Sequence, residues 1–92
     1  MEKMKFMIVA EYGLHARPAT KLVTQAMAFE SNVFLTAFGR QVNLKSIMGV
    51  MSLGIYHGEI VEIMAEGSDE KKAIDSLLDF IVSEGLGKVE YE

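Results

Sequence analysis

Val33-Phe34-Leu35-Thr36-Ala37-Phe38-Gly39-Arg40-Gln41-Val42-Asn43 is the stretch whose reading decides the fold. Val33 to Phe38 alternates in the manner of a half-buried strand, Gly39-Arg40 reads as the turn, and Gln41 to Asn43 can pair back as a hairpin. So short a connection joins antiparallel neighbours only. Before the hairpin, Lys5 to Ala10 is rich in β-branched and aromatic residues and reads as a strand, which Gly13 breaks. From Ala16 to about Phe29, apolar residues at Ala19, Leu22, Val23 and Ala26 follow the spacing of an amphipathic helix, with Pro18 in its first turn. After the hairpin, Ser46 to Leu53 is a short helix stopped by Gly54, and His57-Gly58 turns into a strand over Glu59 to Glu66. There Val61, Ile63 and Ala65 alternate with Glu62, Met64 and Glu66, so one face is buried and the other wet. Asp69 is placed to cap a last helix carrying Ile74, Leu77, Leu78 and Ile81 on its inner face and ending at Gly85. The order β-α-β-β-α-β-α predicts an α+β domain: a four-stranded antiparallel sheet with three helices on one face.

At 92 residues the chain suits a single domain, 1–92, with 88–92 expected to fray. Half of the residues are hydrophobic, enough for a core without staples. The lack of cysteine excludes disulfide frameworks, zinc fingers and thiol chemistry. The apolar run Phe6 to Ala10 is too short for a signal peptide or a membrane span, so a soluble, cytoplasmic protein is expected. Net charge is -4, which argues against nucleic acid as the main partner. Its distribution is uneven: residues 1–58 hold six Lys/Arg against three acids, and residues 59–92 hold three against ten. The basic part could meet an acidic or phosphorylated partner; equally, the last helix and tail are simply acidic.

One segment concentrates reactive groups: Gly13-Leu14-His15-Ala16-Arg17-Pro18. His15 falls where a loop hands over to a helix. The first amides of a helix have no internal partner and carry partial positive charge, so an imidazole beside them stands at an anion-binding end. A phosphate on that ring would meet the backbone N–H groups of Ala16 and Arg17, and the Arg17 guanidinium adds fork-like donors. Pro18 stiffens the turn, and Gly13 lets the loop approach its surroundings without a side chain in the way. No carboxylate cluster here could activate water or hold a metal, so transient phosphorylation fits the residues better than hydrolysis. The residues alone leave open a second reading, in which His15 only packs at the loop.

A second segment runs from Val42 to Gly54. Ser46 is placed as a helix N-cap. The helix behind it is too apolar for its length: Ile47, Met48, Val50, Met51 and Leu53 cannot all face a core, so Met48 and Met51 should show outward as adaptable surface. A phosphate on Ser46 would be tolerated by the helix dipole and would place roughly two negative charges beside that surface. His57 and the Asp69-Glu70-Lys71-Lys72 cluster read as structural, and Phe34 and Phe38 as neighbours on one strand face.

With both segments in view, the chain resembles the HPr family, the histidine-containing phosphocarrier proteins of the bacterial phosphoenolpyruvate-dependent sugar phosphotransferase system. Gly13-Leu14-His15-Ala16-Arg17-Pro18-Ala19 is similar to the family's phosphohistidine loop, and Asn43 to Gly54 to the regulatory serine region of its low-GC Gram-positive branch. The resemblance runs from Phe6 to about Leu86 and implies an open-faced β-sandwich of four strands and three helices. It implies that Nδ1 of His15 accepts phosphate from phospho-enzyme I and gives it to enzyme IIA components, with Arg17 and the backbone of Ala16 and Arg17 holding the phosphate. It also implies that HPr kinase/phosphorylase modifies Ser46, hindering transfer and favouring a catabolite-control repressor docked on Ile47, Met48, Met51 and Leu53. A carrier of this kind is not a turnover enzyme, needs no cofactor or metal, binds no nucleic acid directly, inserts in no membrane and is expected as a monomer. The alternative is a purely regulatory module acting through phospho-Ser46; a related protein of that sort lacks the histidine, which is present here. A small enzyme using His15 as general base is the weakest reading, since a shallow site excludes little water. Tyr12 departs from the family, standing where many relatives carry a smaller residue.

Overall fold

The central strand takes its place from its own alternation: Val61, Ile63 and Ala65 are buried while Glu62 and Met64 stay half-exposed on the other face. The computed structural model describes residues 1–90. Five strands, β1 (Glu2–Ile8), β2 (Asn32–Ala37), β3 (Arg40–Asn43), β4 (Ile60–Glu66) and β5 (Gly87–Val89), form one antiparallel sheet in the order β3-β2-β4-β1-β5. Helices α1 (Ala16–Ala26), α2 (Ile47–Met51) and α3 (Glu70–Ser83) cover one face. Phe6, Ile8, Val33, Leu35, Val61 and Ile63 of the sheet meet Leu22, Val50, Leu77 and Ile81 of the helices in a single core. This is the expected α+β architecture with one strand more.

That strand is the main correction. Residues 88–90 do not fray: Met7 pairs with Lys88 and Phe6 with Val89, and the Glu90 amide donates to the Lys5 carbonyl at 2.9 Å. Tyr91 and Glu92 of the expected frayed tail lie outside the described residues. A Cβ on Gly87 would stand 2.8 Å from the Met7 carbonyl oxygen, so only glycine lets the chain come this close to β1. A three-residue strand that begins with glycine has almost no local signature.

The hairpin forms, with its turn one residue earlier than the sequence suggests. Ala37 pairs directly with Arg40, which leaves Phe38 and Gly39 as the two-residue connection at φ of 55° and 73°. Positive φ at both positions matches the twist of paired strands. Phe38 is therefore an exposed turn residue and does not share a strand face with Phe34. Likewise α1 stops at Ala26, and Ala28 and Phe29 follow in tighter turns, donating to Gln25 and Ala26. β1 starts earlier than expected because Glu2 to Met4 pair with Ala65 to Ile63 of β4, and it ends at Ile8.

Asp69 also departs from expectation. Its side chain makes no cap bond to α3. Its carboxylate instead accepts the backbone N–H groups of Glu30 and Ser31, each at 3.0 Å, and the hydroxyl of buried Ser31. The Ser31 hydroxyl and the Glu30 amide together pull this carboxyl from 3.8 down to about 2. A folded-state value below the unfolded one contributes stability that is present above the unfolded value and lost as pH falls toward the folded one. Thermal melts should therefore fall between about pH 4 and pH 2, and Asp69→Asn should flatten that part of the curve. Parallel curves for the two proteins would remove Asp69 from the acid response.

Candidate functional site

The loop before α1 is fastened on three sides. The Gly13 amide closes a turn on the Ala10 carbonyl at 3.0 Å, the Ala10 amide donates to the Leu86 carbonyl at 3.2 Å, and the Leu14 amide donates to the Ile55 carbonyl at 3.0 Å. Gly13, at φ 67°, lies so close to the next segment that a Cβ would stand 2.3 Å from the Ile55 carbonyl oxygen and 2.7 Å from the Tyr56 Cα. The close approach expected of Gly13 is thus made against the connection between α2 and β4. Leu14 turns into the core, and Pro18 and Ala19 are buried below.

This anchoring leaves His15 in water. It is the N-cap residue of α1, in extended backbone conformation, and its side chain makes no cap bond. Its carbonyl accepts the Ala19 amide at 3.0 Å, the first bond of the helix. The amides of Ala16 and Arg17 and the Arg17 guanidinium have no hydrogen-bond partner among the described residues. The helix thus starts with two free amides, a free guanidinium and an exposed imidazole on one stiff turn, a set of groups able to hold an anion. A recess of about 270 Å³ opens beside them, lined by Tyr12, His15, Arg17, Pro18, Lys21 and Glu84 among others. Lys21 is held by Glu84 at 3.3 Å, which keeps that acid occupied.

Ser46 caps α2, as its position implies: its hydroxyl accepts the Gly49 amide at 3.1 Å. The approach to the cap is fixed by the Asn43 side chain, which accepts the Lys45 amide at 2.9 Å, and by Lys45, whose ammonium donates to the Phe29 carbonyl at 2.6 Å. Met48 is 80% exposed, Met51 40% and Ile47 36%, so the expected apolar surface exists. Leu53 does not belong to it. It is 6% exposed and packs in the core, because α2 ends at Met51 and the chain turns inward after Ser52. The structure places α2 against α1, so the apolar surface and His15 lie on neighbouring elements. His57 is exposed, and its Nδ1 lies 3.4 Å from the Ala10 carbonyl oxygen, at the root of the His15 loop.

One neighbour of His15 has no signal in the sequence pattern. The Tyr12 ring meets the imidazole edge-on, with centroids 6.3 Å apart and planes at 81°. Among the described residues there is no group of three or more side chains that could hold a metal ion, and no helix is long and apolar enough to cross a membrane.

Comparison with known proteins places this geometry. The model of the PTS HPr component phosphorylation site matches residues 2–83. HPr from Thermoanaerobacter tengcongensis superposes with a TM-score of 0.88 at 44% identity, over 92% of this chain and 96% of that one. The histidine-containing phosphocarrier protein of Mycoplasma gives 0.91 at 38% identity, over 95% and 99%. Crh, a catabolite-repression protein of Bacillus subtilis described as a domain-swapped dimer, gives 0.71 at 44% identity, over 82% and 86%. The family model and the two HPr structures support a phosphocarrier role in the phosphotransferase system. The chain belongs to the HPr family.

The loop's dependence on a missing side chain can be measured. Gly54, at φ 61°, has nothing within 4 Å of a built Cβ, so Gly54→Ala carries backbone strain alone. Its cost should be about 1–2 kcal/mol. Gly13→Ala adds a clash with backbone atoms and should cost clearly more in urea unfolding, with slower phosphate acceptance as the loop shifts. Equal costs at both positions would mean that the loop yields freely.

Proposed function

We propose that the chain carries a phosphoryl group on His15, taking it from phospho-enzyme I and passing it to enzyme IIA components. The observation that supports this most is the α1 terminus, where an exposed imidazole stands beside two unpartnered amides and an unpartnered guanidinium. In the transfer an imidazole nitrogen of His15, Nδ1 by family resemblance, attacks phosphorus with its lone pair. The bond from phosphorus to the donor atom of phospho-enzyme I breaks, and the donor keeps that electron pair. Developing charge on the phosphoryl oxygens is met by the amides of Ala16 and Arg17 and by the Arg17 guanidinium. The domain acts once per phosphate and hands it on, so it is a stoichiometric intermediate and not a turnover enzyme.

Ser46 supplies the regulatory half of the reading. Phosphorylation there by HPr kinase/phosphorylase would put about two negative charges at the start of α2, beside Ile47, Met48 and Met51. Those charges would repel an acidic or phosphorylated partner approaching the neighbouring His15 site, and would offer a catabolite-control repressor a charged handle next to an apolar surface. The purely regulatory reading is favoured by one observation, the likeness to Crh, and disfavoured by the exposed and unpartnered His15.

Incubation with phosphoenolpyruvate and enzyme I should add one acid-labile, base-stable phosphate, and His15→Ala should abolish it. An intact protein that takes no label would end the carrier reading. Arg17→Ala should slow transfer about 10- to 100-fold, the loss of a hydrogen bond to a charged group, with little change in thermal stability because the side chain is exposed. Ser46→Asp keeps a capping oxygen but adds charge. It should fold normally and accept phosphate more slowly, and an unchanged rate would disconnect Ser46 from His15.

A further inference from the structure

Tyr12 stands at the third position of the turn that the Gly13 amide closes on the Ala10 carbonyl. The turn itself is held by Leu86 and Ile55, so the Tyr12 backbone is fixed. Its side chain is 72% exposed and contributes nothing to the core. A tyrosine is a poor choice for a turn and a wasteful one for a surface, since it leaves apolar area in water. Among the described residues its one aromatic partner is His15, met edge-on at 6.3 Å and 81°, within the range in which aromatic rings attract. The hydroxyl of Tyr12 has no hydrogen-bond partner among the described residues, so the ring is the part in contact.

His15 has the complementary need. Its side chain makes no hydrogen bond among the described residues, and it is exposed, so nothing polar fixes its ring. A nucleophile that must present one nitrogen in line with phosphorus loses rate in proportion to the orientations it samples. We propose that Tyr12 is a positioning residue for the acceptor imidazole: its ring, set against His15, limits rotation of the imidazole and holds the accepting nitrogen toward the free end of α1. This rests on the carrier reading. It concerns the orientation of His15, not the docking of a partner, and the two roles separate experimentally.

Three proteins decide it: wild type, Tyr12→Ala and Tyr12→Phe. In the enzyme I reaction Tyr12→Ala should lower kcat about three- to tenfold, as expected for the loss of one aromatic contact, with KM little changed. Tyr12→Phe keeps the ring and should restore the wild-type kcat. Phosphoramidate, a small phosphoryl donor that needs no protein docking, should label wild type and Tyr12→Phe at the same rate and Tyr12→Ala more slowly. Proton spectra should show the His15 ring resonances displaced in both tyrosine and phenylalanine forms relative to alanine. A change confined to KM, with equal phosphoramidate rates, would make Tyr12 a docking contact and overturn the proposal. Equal kinetics and equal His15 resonances in all three proteins would overturn it as well. If wild type takes phosphate from phosphoramidate but not from enzyme I, the carrier reading fails while the Tyr12 comparison still gives its answer.

Discussion

The 3.0 Å bond from the Leu14 amide to the Ile55 carbonyl, with the missing Cβ of Gly13 beside it, is the contact on which the site depends. It joins the segment before α1 to the segment after α2. Leu14 can then enter the core while His15, one residue later, points into water. A reactive group on a loose loop would present many geometries to a partner; one on a buried segment would present none. The close backbone approach resolves that conflict by making the loop rigid without covering it.

The three helices use their N-cap side chains in three different ways. Ser46 turns its hydroxyl to the Gly49 amide and completes α2. Asp69 reaches away from α3 and binds the Glu30–Ser31 backbone, so it joins the entry to β2 to the start of the last helix. His15 bonds to neither, and α1 keeps free amides at its start. A free helix start costs stability, of the order of 1 kcal/mol for a missing cap. At α1 the free amides stand beside the recess lined by Tyr12 and Arg17.

The same contrast explains what could be read from the sequence. Alternation in β2 and β4 and the spacing in α1 and α3 are local properties, and they place the sheet, the helices and His15 correctly. Ser46 is legible because its bond partner lies three residues away. Asp69 is misleading because its partners lie 38 and 39 residues away, and a carboxylate before a helix looks the same whether it turns inward or outward. β5 is hidden because its defining residue, Gly87, is a poor strand former chosen for a close approach to β1. Leu53 fails for another reason. The resemblance puts it in the contact surface, but α2 ends at Met51 and the chain turns inward behind it, leaving Leu53 in the core.

Exposure ties these features to the proposed phosphoryl transfer. A phosphoryl group that passes between two proteins must sit where both can reach it, and water reaches it too. Enclosure in a cavity would block the partners, so protection has to come from geometry at an open surface: donors fixed beforehand, and an acceptor ring that does not wander. The amides of Ala16 and Arg17 are fixed by the helix, and the backbone of His15 by Gly13 and Leu14. The imidazole torsions of His15 are left without a backbone constraint, and the side chain against that ring is Tyr12. In a domain of 92 residues with its core already filled, an aromatic neighbour on the same turn is the shortest route to ordering that last degree of freedom.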